Sequence, residues 1–218
     1  MSKVKICGLS RKKDIEVVNH VLPDYIGFVF APSRRRVDIK TAALLKENLD
    51  PQIEVVGVFV NESIKNVADI YKNGIIDLVQ LHGDEDGGYI KRLKNHCGCP
   101  VIKAVGVGSV LSFLPIESDY LLFDTISEQR GGAGKPFDWD IIKEYHGLPF
   151  FLSGGLSARN VVDSIRLLAP YCVDVSSGVE TDGVKDAGKI DEFVYTVRGI
   201  QIIPETETIL QIDPITWC

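Results

Sequence analysis

The sequence predicts an α/β fold, a single-domain (β/α)8 TIM barrel, and three observations carry that prediction. Eight short apolar runs recur along the 218 residues: KVKICG, YIGFVF, EVVGVFVN, DLVQLHG, VIKAVGV, YLLFDT, FFLSGG and VDVSSG. Nearly all of them close on a polar or glycine-rich cluster, and several of the stretches between them have helical periodicity. Val-, Ile- and Phe-rich runs without sustained alternation are strands buried on both faces, and helical crossovers between them make a parallel sheet. Eight such units close into a barrel whose chemistry sits at the carboxyl ends of the strands. Those ends hold Cys7, Gln80, His82, Asp124, Gly154, Gly155, Ser176, Ser177 and Gly178.

Three crossovers show an apolar stripe at helical spacing. Ile64, Val67, Ala68 and Tyr71 form one, with Ser63 as N-cap and Gly74 as the stop. Ala158, Val161, Ile165 and Leu168 form another, ended by Pro170, and Ile190, Phe193, Val194 and Val197 form the last. Between the fifth and sixth runs, GSVLSFLPIESD contains Pro115 and leaves room only for a short crossover helix. After the sixth run, the glycine-rich TISEQRGGAGKPFD is long for such a connection and reads as a mobile cover over the active site. The barrel is expected to occupy residues 1–199. The tail at 200–218 fits no ninth unit and is compatible with packing on the surface, pairing with a neighbour or disorder.

Composition narrows the classes of function. With 24 basic and 30 acidic residues, net charge −6, the chain lacks the electrostatics of a nucleic-acid binder, although a local basic site for a small anion is allowed. No apolar stretch is long enough to span a bilayer, and MSKVKICGLSRKK becomes charged before a signal-peptide core could form, so the expected compartment is the cytoplasm and no membrane partner is expected. Five cysteines at Cys7, Cys97, Cys99, Cys172 and Cys218 show no disulfide framework and are expected to be free thiols. Asn61-Glu62-Ser63 matches a glycosylation acceptor, which has no consequence without a secretory signal.

Some motifs fail on inspection. Gly131-Gly132-Ala133-Gly134-Lys135 suggests a nucleotide loop, but Gln129 stands where a Walker A pattern needs Gly and Pro136 where it needs Ser or Thr. Gly106-Val107-Gly108 lacks the third glycine of the dinucleotide fingerprint, since position 111 is Leu111. His96-Cys97-Gly98-Cys99 offers too few metal ligands and no second pair, so no metal site is predicted.

Other clusters point to a phosphorylated ligand and acid–base chemistry. Ser153-Gly154-Gly155 and Ser176-Ser177-Gly178 end the seventh and eighth strands, where glycine lets backbone amides approach a phosphate. Cys7 and Asp124 end different strands of the same rim, so a thiol and a carboxyl face a substrate held between them. For Cys7 to act as a thiolate base near neutrality, nearby positive charge is expected to lower its pKa. One of Arg34, Arg35 and Arg36 can serve as a forked clamp for a carboxylate. His82 is suited either to a structural hydrogen bond or to substrate contact.

Taken together, KICG at 5–8, GFVF at 27–30, VGVFVN at 56–61, QLHG at 80–83, GGAGKPFDW at 131–139, LSGGL at 152–156 and DVSSGVE at 174–180 resemble the phosphoribosylanthranilate isomerase family, over residues 3 to about 199. The resemblance implies an Amadori rearrangement of N-(5-phosphoribosyl)anthranilate in tryptophan biosynthesis, without metal or organic cofactor. It places the general base on Cys7, the general acid on Asp124 and the substrate-carboxylate arginine on Arg36. Phosphate-binding backbone falls on Gly154, Gly155, Ser177 and Gly178, and Gln80, His82 and Asp174 are expected at the substrate. The tail departs from the family pattern and leaves monomer and homodimer both open. Two rival enzymes fit less well. The related histidine-pathway isomerase resembles a family with aspartate at the position of Cys7, and indoleglycerol-phosphate synthase needs a Lys and Glu apparatus that KICG does not supply. A non-catalytic barrel binding a phosphorylated ligand is the alternative from outside the enzymes.

Overall fold

A computed structural model describes residues 2–107, 117–125 and 137–200. Eight parallel strands close a barrel in chain order: β1 (Lys3–Cys7), β2 (Tyr25–Val29), β3 (Glu54–Phe59), β4 (Leu78–Leu81), β5 (Val101–Val107), β6 (Tyr120–Thr125), β7 (Phe150–Leu152) and β8 (Cys172–Val175). Each predicted run holds one of them. β8 pairs with β1 in the register Lys3↔Cys172, Val4↔Val173, Lys5↔Asp174 and Ile6↔Val175, which closes the ring.

The period of two along a strand sorts the side chains into two cores. One set faces outward against α1 (Lys12–Val21), α2 (Ile39–Glu47), α3 (Ile64–Lys72), α4 (Gly87–Cys97), α5 (Val161–Leu168) and α6 (Ala187–Ile200), and makes the large core that includes Ile6, Phe28, Leu81, Phe123, Val173 and Phe193. The other set fills the barrel with Tyr25, Val56, Leu78, Ile102, Leu122, Phe151 and Cys172. Below this plug Lys3, Tyr25 and Tyr171 close the amino-terminal end, with the Lys3 ammonium 3.1 Å from the Tyr25 hydroxyl and the two phenols 2.9 Å apart. Above it Lys5, Gln80 and Asp174 form a polar layer, and two residues further along their strands stand Cys7, His82 and Ser176.

The helices follow their sequence patterns. Ser63 caps α3 by accepting the Asn66 amide, and Val67 and Ala68 are buried, with Ile64 and Tyr71 half-buried beside them. In α6, Ile190, Phe193, Val194 and Val197 are all buried. α5 starts at Val161 rather than Ala158: Ser157 and Asn160 tie the preceding turn together, and Ser164 joins Val161 in the buried stripe. Between β6 and β7 the described crossover is a single 3-10 turn, Trp139–Ile142. A two-stranded hairpin not foreseen in the sequence, β9 (Glu180–Thr181) with β10 (Val184–Lys185), follows β8. α6 reaches Ile200, one residue past the expected boundary. Of the short crossover expected at 108–119, the cover loop expected at 125–138 and the tail expected at 200–218, residues 108–116, 126–136 and 201–218 lie outside the described residues.

Candidate active site

The carboxyl ends of the strands open into a cavity of about 480 Å³. Cys7, Gln80, His82, Asp124, Gly154, Gly155, Asp174, Ser177 and Gly178 all line it, so strand ends from the first strand to the eighth meet in one place. Arg36 does not. It is exposed, beside an isolated bridge to Val29, whereas Arg34 and Arg35 reach the cavity wall. Those two are already engaged: Glu180 accepts from Arg34 Nη2 at 2.7 Å and from Arg35 Nε and Nη2 at 2.7 and 3.0 Å. Among the described residues no hydrogen bond or ion pair holds the Arg36 guanidinium.

Cys7 is buried at the top of β1. Gly27 in the neighbouring strand makes room for it, because a Cβ there would stand 2.7 Å from Cys7 Sγ. The Ser176 hydroxyl donates to the Cys7 carbonyl at 3.0 Å, and Lys185 donates to the Ser176 carbonyl at 2.8 Å. Burial pushes the Cys7 thiol up from its ordinary pKa, and the charges of Lys5 and Lys185 pull it down without cancelling that effect. This reverses the expectation of a lowered pKa: the cations are present, but desolvation outweighs them.

Beneath Cys7, the fully buried Lys5 donates to Asp174 Oδ2 at 2.7 Å and to Gln80 Oε1 at 2.9 Å. Burial, the largest single influence, would lower the Lys5 pKa, but the charge and hydrogen bond of Asp174 together with the charge of Cys7 more than offset it, so the ammonium is retained. Asp174 is raised by its own desolvation, with Lys5 opposing. Its other oxygen, Oδ1, is buried with no hydrogen-bond partner among the described residues.

On the opposite wall, Asp124 Oδ1 accepts the Thr125 amide at 2.8 Å, and His82 Nε2 lies 3.4 Å from Asp124 Oδ2. Gln80 Nε2 is 3.0 Å from His82 Nδ1. The loop bearing His82 is fixed from outside the barrel by Glu85, which accepts the amides of Asn61 and Gly83 at 2.7 and 2.9 Å and pairs with buried Lys103 at 2.9 Å.

The glycine loops form the remaining side. Gly154 and Gly155 adopt φ of +86° and +67°, a region open to glycine at little cost, and Asn160 donates to the Gly155 carbonyl at 3.0 Å. Ser177–Val179 is a 3-10 turn in which Gly178 passes close to the Leu156 carbonyl.

Lys5, Lys103, Glu85, Asn160, Glu180 and Lys185 were not singled out as site residues from the sequence. A lysine within an apolar strand, as in KVKIC and VIKAV, is the available signal, since a buried charge demands a partner. Which partner it finds depends on strand register. The His96–Cys99 segment plays no part: Cys97 Sγ donates to the Leu93 carbonyl and Cys99 is buried, both away from the cavity.

The fold and cavity define a class, the single-domain α/β barrel with acid–base groups and glycine-rich loops facing one small-molecule site. A family model described as N-(5'phosphoribosyl)anthranilate (PRA) isomerase matches residues 4–196. The N-(5'-phosphoribosyl)anthranilate isomerase of Endomicrobium trichonymphae is 50% identical over 201 residues, covering 92% of this chain and 100% of that one. Among solved structures, the phosphoribosyl anthranilate isomerase of Thermotoga maritima superposes with a TM-score of 0.83 at 36% identity, covering 91% of this chain and all of the other. A phosphoribosyl anthranilate isomerase in complex with reduced 1-(o-carboxyphenylamino)-1-deoxyribulose 5-phosphate gives 0.79 at 34% identity, with the same coverage of this chain and 100% of that one. The chain belongs to the phosphoribosylanthranilate isomerase family, and it is an enzyme of that class.

Proposed function

We propose that this isomerase converts N-(5-phosphoribosyl)anthranilate to 1-(2-carboxyphenylamino)-1-deoxyribulose 5-phosphate, a step of tryptophan biosynthesis, with Cys7 as base and Asp124 as acid. The carrying observation is that these two groups line one cavity from different strands, with the glycine loops after β7 and β8 on its remaining side. The phosphate sits on the backbone of Gly154, Gly155, Ser177 and Gly178, and the sugar lies between Cys7 and Asp124. Protonated Asp124 delivers its proton to the ring oxygen as the C1–O bond breaks, which gives the open-chain Schiff base. Cys7 then takes the proton from C2 as its thiolate, the form that burial disfavours and the charges of Lys5 and Lys185 favour, and the electron pair moves to make the enolamine, which tautomerises to the aminoketone. The unpartnered Asp174 Oδ1 is the natural acceptor for a sugar hydroxyl, since a buried carboxylate oxygen is costly to leave unpaired.

The anthranilate carboxylate goes to Arg36. Of the three arginines it is the one that Glu180 leaves uncommitted. The catalytic unit is residues 1–199, and the assembly is a monomer or homodimer. A cytoplasmic compartment agrees with the free state of Cys7, Cys97, Cys99 and Cys172. No helix among the described residues is long and apolar enough to cross a membrane.

The test is turnover of the phosphoribosyl substrate by Cys7→Ala and Asp124→Asn. Each is expected to lose about 10²–10⁴-fold in kcat, the usual contribution of a positioned acid or base, with the fold intact. Near wild-type turnover in a folded Cys7→Ala would remove the thiol from the mechanism.

A further inference from the structure

We propose that Lys5 is a positioning residue: through Gln80 it sets the tautomer of His82, so that the imidazole presents an N–H to Asp124. The proposal rests on reading Asp124 as the acid. The tautomer follows from what each group can donate or accept. An ammonium has only donors, so the Gln80 amide atom 2.9 Å from Lys5 Nζ must be its oxygen. The amide orientation is therefore dictated chemically, and its NH2 faces His82 Nδ1 at 3.0 Å. An NH2 group has no acceptor, so Nδ1 must offer a lone pair, and the proton of the neutral ring is placed on Nε2. That nitrogen stands 3.4 Å from Asp124 Oδ2.

Lys5 is itself unable to turn away. It is fully buried, and Asp174 on the adjoining strand holds it at 2.7 Å. The chain of contacts thus crosses the barrel interior from β8 through β1 and β4 to β6.

The consequence for the reaction lies in the timing of charge. The His82–Asp124 separation of 3.4 Å is long for a hydrogen bond, so the contact is weak as it stands. Once Asp124 gives its proton to the ring oxygen, its carboxylate meets an N–H already aimed at it, and the contact can shorten as charge develops. An interaction that is stronger in the transition state than in the ground state raises kcat. With the other tautomer a lone pair would face the new carboxylate, and the two would repel.

The experiment is nitrogen NMR on the full chain labelled in histidine, with the His82 signals assigned by their loss in His82→Gln, read beside steady-state kinetics. In the wild-type protein near neutrality, His82 should show protonated Nε2 and unprotonated Nδ1. Gln80→Glu keeps shape and the contact with Lys5 but faces Nδ1 with an acceptor. It should move a proton onto Nδ1 and lower kcat about 10- to 100-fold, with KM within about threefold. Lys5→Met frees the amide to turn and should give mixed tautomers with a smaller loss of kcat. Gln80→Glu, which keeps the Lys5–Asp174 pair, decides the matter if Lys5→Met does not fold. A protonated Nδ1 in the wild-type protein, an unchanged nitrogen pattern in Gln80→Glu, or a changed pattern with unchanged kcat would each overturn the proposal. The nitrogen signals are read without turnover, so failure of the acid assignment is seen separately: full turnover in Asp124→Asn would remove the catalytic consequence even where the tautomer is as stated.

Discussion

Three adjacent arginines in one loop have different fates because a single carboxylate selects among them. Glu180 takes Arg34 at 2.7 Å and grips Arg35 through two nitrogens, and Arg36 is left free among the described residues. Replacing Arg36 by Lys removes a planar fork that can meet a carboxylate on two bonds but touches no internal ion pair. Arg36→Lys should therefore raise KM about tenfold, equivalent to about 1.4 kcal/mol of binding, and leave the melting temperature unchanged. Steady-state kinetics with a thermal melt check this. An unaltered KM would transfer the carboxylate contact to another residue. The sequence alone could not rank the three arginines, since their commitments depend on a residue about 145 positions away.

At the scale of elements, the glycine loops show how closely two backbones must approach to make the wall of the cavity proposed to hold phosphate. Gly178 is required by space rather than by φ: a Cβ there would collide with the Leu156 carbonyl oxygen, a backbone atom that cannot swing aside. Gly178→Ala should force the β7 and β8 loops apart, cost about 1–3 kcal/mol of stability as an overpacked site does, and weaken inhibition by inorganic phosphate about tenfold or more. Chemical denaturation and phosphate inhibition measure the two effects, and unchanged phosphate inhibition would separate this turn from the anion site. Most elements were legible because their signals are local. Ser63 before an apolar stripe is a cap, and Val-, Ile- and Phe-rich runs are strands. Ala158, the first residue of the expected stripe, lies outside α5 because the hydrogen bonds of Ser157 and Asn160 hold it in a turn, which its apolar character does not reveal.

For the molecule as a whole, Glu180 on β9 ties the loop after β2 to Lys185 on β10, across the seam where β8 meets β1. Desolvation would raise its pKa, but bonds from Arg35 and Lys185 win and bring it down from 4.5 to about 2. A carboxylate depressed in the folded state adds stability that is fully present above its unfolded pKa and is lost as pH falls through its folded one. The window thus runs from 4.5 to about 2. Its ceiling is on the order of 3 kcal/mol. In Glu180→Gln this contribution is absent, so the difference in unfolding free energy between wild type and variant should be largest near neutrality and shrink across that window. Urea unfolding through the acid range checks it, and a constant gap would show that the pairs do not lower the folded pKa.

The sequence by itself determined the barrel, the order of its strands, and the set of groups at their carboxyl ends, because burial patterns and strand-end chemistry are written in neighbouring residues. Tertiary structure decided what those groups do to one another. Lys5 meets Asp174 only through the register that closes β1 on β8, and Gln80 meets Lys5 only across the barrel interior. The direction of the Cys7 pKa shift was likewise decided there. Positive charge near a thiol can be anticipated from lysines in the chain, but the desolvation that outweighs it is a property of the packed interior, which exists only once all eight strands have closed.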